Sequence, residues 1–197
     1  GGNAVLANYS SGKRLINESG AVIRAEDVSF ADLACGKVVY PVNPYITNNE
    51  ITVECFLKVP TTQGEAACPI AYGPTQYTKI WALGFGGSGN LRLRIRMADG
   101  DNNFKFVNYP DALPAGWRHI AFSLHAVGGT STEVKLYSDY QCVAQQTLEG
   151  LVMDPVDNGI AKSYLKLGES WLSEPFTGQI DEIRISRGAL DPSEFLR

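Results

Sequence analysis

The chain has 197 residues, 44% of them hydrophobic and 19% charged, and a formal net charge of −4. That length suits one β-sandwich able to bury about 70% of its unfolded surface, so residues 1–197 are expected to form a single domain. The composition excludes a disordered chain, no run approaches the ~20 apolar residues of a membrane-spanning helix, and the negative balance speaks against nucleic acid or membrane insertion.

Along the chain, pattern is weakest over the first thirty-five residues, where Ala25–Leu33 could form one helical turn and Asn8 and Asn17 head glycosylation sequons. After that, turn-formers recur at Asn48-Asn49, Gly73-Pro74, Gly86–Asn90, Asp99–Asn103, Pro114–Gly116, Gly128-Gly129, Asp157–Gly159 and Ser173–Pro175. Short runs rich in valine, isoleucine and aromatic residues lie between them, the spacing of an all-β sandwich or barrel. Strands are predicted near 38–42, 51–58, 69–72, 79–85, 91–97, 104–109, 117–125, 133–138, 141–148, 163–168 and 179–186. Leu91-Arg-Leu-Arg-Ile-Arg-Met97 has the clearest period of two. Its alternation predicts that Leu91, Leu93, Ile95 and Met97 face a core while Arg92, Arg94 and Arg96 project from the opposite surface. The tail Asp191-Pro-Ser-Glu194 reads as a capped helical turn, with a cap, a proline at the first position and a glutamate three residues after the cap.

The four cysteines, Cys35, Cys55, Cys68 and Cys142, form no C-x-x-C pair, and with only two histidines a zinc site is not expected. They are either buried apolar residues or partners in a disulfide, with Cys55 and Cys142 falling inside strands. The chain opens on Gly1-Gly2-Asn3 without an initiator methionine or the apolar core of a signal peptide, which suggests a mature piece of a larger polypeptide.

Three stretches carry a resemblance. Phe176-Thr-Gly-Gln-Ile-Asp-Glu-Ile-Arg-Ile-Ser-Arg-Gly-Ala-Leu190 resembles the closing strand of concanavalin A-like jelly rolls of the laminin-G-like kind. Asn49–Lys58 is similar to that family's early strand, with Phe56 at a usual tryptophan, and Gly116-Trp-Arg-His-Ile-Ala121 to its Gly-Trp-x-His strand. Glu133–Cys142 resembles its hairpin in part, but Tyr140 replaces a usual glycine, which argues against a tight turn at Asp139-Tyr140. The resemblance implies an all-β jelly-roll sandwich of two antiparallel sheets.

Enzymes of similar fold carry glutamate–aspartate–glutamate spacings on one strand, which this chain lacks: Glu50 and Glu54 have no aspartate between them, and Asp181 and Glu182 are adjacent. His119 is expected to pack and hydrogen-bond within its strand, and Trp117 and Tyr137 to be core. Asp99–Asn103 clusters oxygens but is followed by Phe104 and Pro110 where a calcium loop of the EF-hand type needs glycine and glutamate. Catalysis is therefore not expected. The implied role is a recognition module on a secreted or cell-surface protein that binds a glycan, one bearing acidic groups if the arginine row faces the ligand. The alternative is a structural or adhesive module that contacts protein and binds no glycan. Candidate ligand residues are Arg92, Arg94, Arg96, Trp171 and Trp81, the arginines otherwise pairing with acids such as Glu133 or Glu182, and Trp81, which shares a face with Leu83 and Phe85, otherwise buried with them. The resemblance also implies a structural calcium at Asp181, completed by carbonyls of the N-terminal segment; Asp181 otherwise caps a turn or pairs with an arginine.

Overall fold

The structure, a computed structural model, describes residues 5–6, 22–23, 38–41, 49–59, 67–73, 80–98, 103–152, 164–170, 176 and 178–197. Its strands in chain order are β1 (Val5–Leu6), β2 (Val22–Ile23), β3 (Val38–Pro41), β4 (Glu50–Val59), β5 (Ala67–Gly73), β6 (Trp81–Phe85) and β7 (Leu91–Arg96). There follow β8 (Phe104–Asn108), β9 (Gly116–Val127), β10 (Ser131–Ser138), β11 (Gln141–Glu149), β12 (Tyr164–Ser170) and β13 (Gln179–Arg187), then a 3-10 turn at Pro192–Glu194. β1 and β2 make a small parallel pair, which the sequence did not announce. The others form two antiparallel sheets: a front sheet in the order β3-β12-β5-β6-β7-β8 and a back sheet in the order β11-β10-β9-β4-β13. This is the jelly-roll sandwich that the resemblance implies, within the all-β class that the strand spacing predicts. No described helix is long and apolar enough to cross a membrane.

Period-two alternation builds the core. From β4, Ile51, Val53, Cys55 and Leu57 point inward, and Ile120, Phe122 and Leu124 of β9 join them. Facing them, Leu91, Leu93, Ile95 and Met97 are fully buried, as the alternation requires. Each such side chain contributes roughly 1.5–3 kcal/mol by leaving water. Trp81 of the front sheet meets Phe122 of the back sheet edge-on at 5.1 Å between ring centres, and lies 5.5 Å from Tyr72. Tyr109, just past β8, sends its hydroxyl toward two backbone carbonyls of the back sheet, Ala121 at 2.9 Å and Tyr137 at 3.2 Å, so a polar tether joins the layers.

Two turns show how local chemistry is met. Gly86–Asn90 is a hairpin turn between β6 and β7, closed by the Gly86 N–H to Asn90 carbonyl bond of 2.9 Å. The turn at Asp139-Tyr140 corrects the sequence expectation, because it is tight and has positive φ at both residues, 46° and 69°. Side chains offset the strain of a non-glycine there. Asp139 accepts from the His119 amide and the Arg118 guanidinium, both at 3.1 Å, and the Tyr140 ring stacks on His119 at 4.4 Å. Cys55 and Cys142 lie in strands as predicted, and with Cys68 they are free thiols. Cys35, the sequons and the possible turn at Ala25–Leu33 lie outside the described residues, whereas the capped turn at Asp191 has both bonds of a capping box.

Gly178, at the entry to β13, has no room for a side chain. A Cβ there would sit 2.7 Å from the Lys58 carbonyl oxygen and 2.4 Å from the buried Phe176 ring. We expect Gly178→Ala to lose about 1–3 kcal/mol of stability in urea unfolding, because a rigid carbonyl and a core ring must both shift.

Candidate functional site

The arginine row stands on the outer face of the front sheet. Arg92 pairs across to Gly84 on β6 and Asn108 on β8, Arg94 to Ala82 and Phe106, and Arg96 to Phe104. Alanine and glycine on one side leave space for the long side chains, and Ala71 of β5 extends that small-residue strip beside Ala82. Phenylalanines on the other side give the guanidinium groups a surface to lie on. The Arg94 guanidinium carbon is 3.6 Å from the centre of the Phe104 ring, and that of Arg92 is 4.7 Å from Phe106. Stacking of this kind is worth about 0.5–1 kcal/mol at exposed sites and holds the planar fork in place. Burial pushes the Arg94 pKa down, the nearby Cys68 sulfur acts against this, and the like charges of Arg92 and Arg96 add to the lowering.

Arg96 departs from the expected outward row. It is only 7% exposed, with its guanidinium carbon 5.9 Å from the Phe104 ring, so Arg92 and Arg94 are the half-exposed members. Glu133 and Glu182, the acids expected to pair with the row, belong to strands of the back sheet. Glu133 instead takes Lys135 at 2.8 Å and the Gln145 amide at 2.7 Å. Sequence reasoning missed Phe104 and Phe106, although a signal was present. β8 pairs antiparallel with β7, and a Phe-x-Phe pattern falls opposite an Arg-x-Arg pattern.

The tryptophans divide three ways. Trp81 is fully buried between Tyr72 and Phe122, which corrects its place among ligand residues: its ring is part of the inter-sheet core. Trp171 lies outside the described residues. Trp117, expected in the core, is 46% exposed, since the odd-numbered positions of β9 face away from Ile120, Phe122 and Leu124.

Asp181 lies on the outer face of the back sheet, where β13 is bulged between Asp181 and Arg184 and Glu182 has a φ of 50°. One carboxylate oxygen accepts the Glu182 amide at 2.9 Å, and burial holds its carboxyl above the ordinary value. Calcium needs six to eight oxygens. Among the described residues no group of three acidic, histidine or cysteine side chains gathers to hold an ion. The segment expected to complete the shell lies largely outside them.

On the same face, beneath the C-terminal segment, sits a buried carboxylate. Glu54, at the centre of β4, is fully enclosed, and its Oε2 meets His119 Nε2 at 3.0 Å and accepts the Leu196 amide at 2.8 Å. Its Oε1 accepts the Arg184 Nε–H at 2.6 Å. Burial alone would raise the Glu54 pKa, but hydrogen bonds from His119, the Leu196 amide and Arg184 outweigh it and hold the carboxyl below its ordinary value. Glu50, on the same strand face, pairs with the exposed His125 at 2.9 Å.

A sequence profile of the laminin-G-like family described as the concanavalin A-like lectin/glucanases superfamily matches residues 36–195. No curated protein matches the chain at a significant level. Among solved structures it is similar to domain 4 of AbnA, a GH43 extracellular arabinanase from Geobacillus stearothermophilus, in complex with arabinotriose. That match has 25% identity and a TM-score of 0.56, and covers 76% of this chain but only 66% of that one. It is also similar to the Ruminococcus gnavus IT-sialidase CBM40 bound to α2,3-sialyllactose, at 19% identity and a TM-score of 0.55, covering 75% of this chain and 80% of that one. A third is the binding domain of botulinum neurotoxin DC in complex with rat synaptotagmin II, at 10% identity and a TM-score of 0.55, covering 80% and 38%. The last two likenesses are of fold.

The Glu54 network predicts a pH dependence. A depressed folded pKa adds stability that is fully present above the ordinary glutamate value of 4.5 and drains away as the pH falls through the lower folded value. We expect Glu54→Gln to cost about 3 kcal/mol at neutral pH, by leaving Arg184 and His119 without their anion. The gap from wild type in urea unfolding should hold down to about pH 5 and narrow below it.

Proposed function

The chain belongs to the concanavalin A-like lectin/glucanases superfamily, and from that premise we propose that it is a non-catalytic module that binds glycans bearing carboxylate or sulfate groups. It would serve on a secreted or cell-surface protein, as part of a larger polypeptide. The observation that carries this proposal is the pair Arg92 and Arg94, each stacked on a phenylalanine and half-exposed on the outer face of the front sheet. A guanidinium resting on a ring is held as a planar fork in one orientation, a geometry suited to two parallel bonds with one planar or tetrahedral anion. The strip of Ala71, Ala82 and Gly84 lowers the sheet surface beside the row, and Arg96 beneath it adds positive charge. The arabinotriose complex of the similar arabinanase domain supports a glycan as the class of ligand. Against catalysis stands the state of the strand carboxylates: Glu54 is enclosed and saturated with donors, and Glu50 is paired with His125.

A calcium ion at Asp181 is a separate proposal, structural in role, and needs oxygens from beyond the described residues. If it is held, adding EDTA to calcium-loaded protein lowers the melting temperature; an unchanged value removes it.

The glycan proposal is tested with α2,3-sialyllactose, polygalacturonate and a chondroitin sulfate by titration calorimetry. We expect binding to at least one, weakening as salt rises from about 50 mM to about 300 mM. Arg94→Ala should lose about tenfold or more in affinity, with the melting temperature preserved. Equal binding by the variant refutes the arginine site, and absence of binding to all three favours the protein-contact alternative.

A further inference from the structure

We propose a second carbohydrate site on the opposite face of the sandwich, centred on Trp117 and suited to neutral sugars. Three adjacent strands of the back sheet build it. Trp117 on β9 pairs directly with Lys58 on β4, and Lys58 with Gln179 on β13, so one rung reads Trp117–Lys58–Gln179. The next rung reads His119–Phe56–Asp181. Trp117, Lys58 and Gln179 are exposed, Phe56 and Asp181 are half-buried, and His119 is buried. Strands lie about 4.8 Å apart, so the rung is about 10 Å across, room for a short stretch of sugar chain.

The chemistry of the rung matches one class of occupant. An indole face takes the C–H face of a sugar ring, which needs apolar contact without a deep pocket. Around it, the Lys58 ammonium donates, the Gln179 amide both donates and accepts, and the Asp181 carboxylate accepts, a set that pairs with hydroxyl groups. Lys58 on one rung and Asp181 on the next are opposite in charge, so the patch as a whole is not cationic, unlike the arginine face. A protein partner fits less well. The exposed large hydrophobic residues among those described are Phe106, Trp117 and Val127. Phe106 is on the other sheet, and Val127 is ten positions along the same strand, about 33 Å away. Trp117 is thus an isolated ring rimmed by polar groups, whereas protein interface cores cluster aromatic anchors and are depleted in lysine.

With both faces occupied, one module would bridge two glycan segments across the thickness of the sandwich. The proposal shares with the arginine site the premise that the module takes glycans, but none of that site's residues. The test titrates arabinotriose, xylotriose, cellotriose and maltotriose into the protein, read by tryptophan fluorescence and calorimetry. We expect at least one to bind with a Kd of about 1 mM or tighter and a change in emission. Trp117→Ala should abolish that binding, Gln179→Ala should weaken it, and Arg94→Ala and added salt should leave it unchanged. Binding of an acidic glycan should survive Trp117→Ala, so failure of one site is distinguishable from failure of the other. No binding to any of the four sugars overturns the proposal, as does equal binding by Trp117→Ala. Should that variant not fold, Gln179→Ala decides on the same terms.

Discussion

The back sheet is organised around one enclosed carboxylate. Glu54 occupies the middle of β4, the strand between β9 and β13, and receives His119 from one neighbour and Arg184 from the other. Its remaining capacity takes the Leu196 amide, which brings the C-terminal segment down onto the sheet. Thr52, two residues earlier on the same face, does the same further up, bonding the Gly188 carbonyl at 2.8 Å and the Leu190 amide at 2.9 Å. A buried charge costs several kcal/mol unless its donors are in place, so the segment cannot lift away without exposing that cost. Phe195 then closes over Tyr137 and His119, at 5.0 and 5.4 Å between ring centres.

This arrangement divides the two outer faces into different chemistries. The lower half of the back sheet is covered by its own C-terminal segment, and the exposed part begins where that cover ends, at Trp117 and Lys58. On the outer face of the front sheet, Arg92 and Arg94 lie against the phenylalanine rings of β8. Both faces rest on the same inner layer of branched and aromatic side chains, so either can vary with little effect on the core.

Much of the fold was legible in the sequence because alternation is a strict signal. A strand that reads Leu-Arg-Leu-Arg-Ile-Arg must present one face to apolar neighbours, and the core positions of β7 follow without further information. Long-range polar pairing was not legible. Nothing local to Glu54 says that His119 and Arg184, which lie 65 and 130 positions away, will surround it. The turn at Asp139-Tyr140 was misjudged for a related reason: backbone preference disfavours tyrosine with positive φ, but ring stacking on His119 and Asp139's bonds to the preceding strand reverse the balance. Trp117 was misplaced because its place in a strand resembling the family's suggested burial, whereas its register in β9 puts it outside.

Stacking of Arg92 and Arg94 on their phenylalanines has a consequence for the thermodynamics of recognition. A free arginine side chain carries about 2 kcal/mol of rotamer entropy, normally lost when it is fixed by a ligand. Here much of that loss falls in folding, since the rings and the narrow strip beside Gly84 already restrict the stems. A Cβ at Gly86 would lie 3.4 Å from the Arg92 Nη1, a measure of how closely that side chain follows the sheet. At the proposed site the guanidinium groups would thus meet an anion already oriented, and the entropy of association would fall mainly on the ligand.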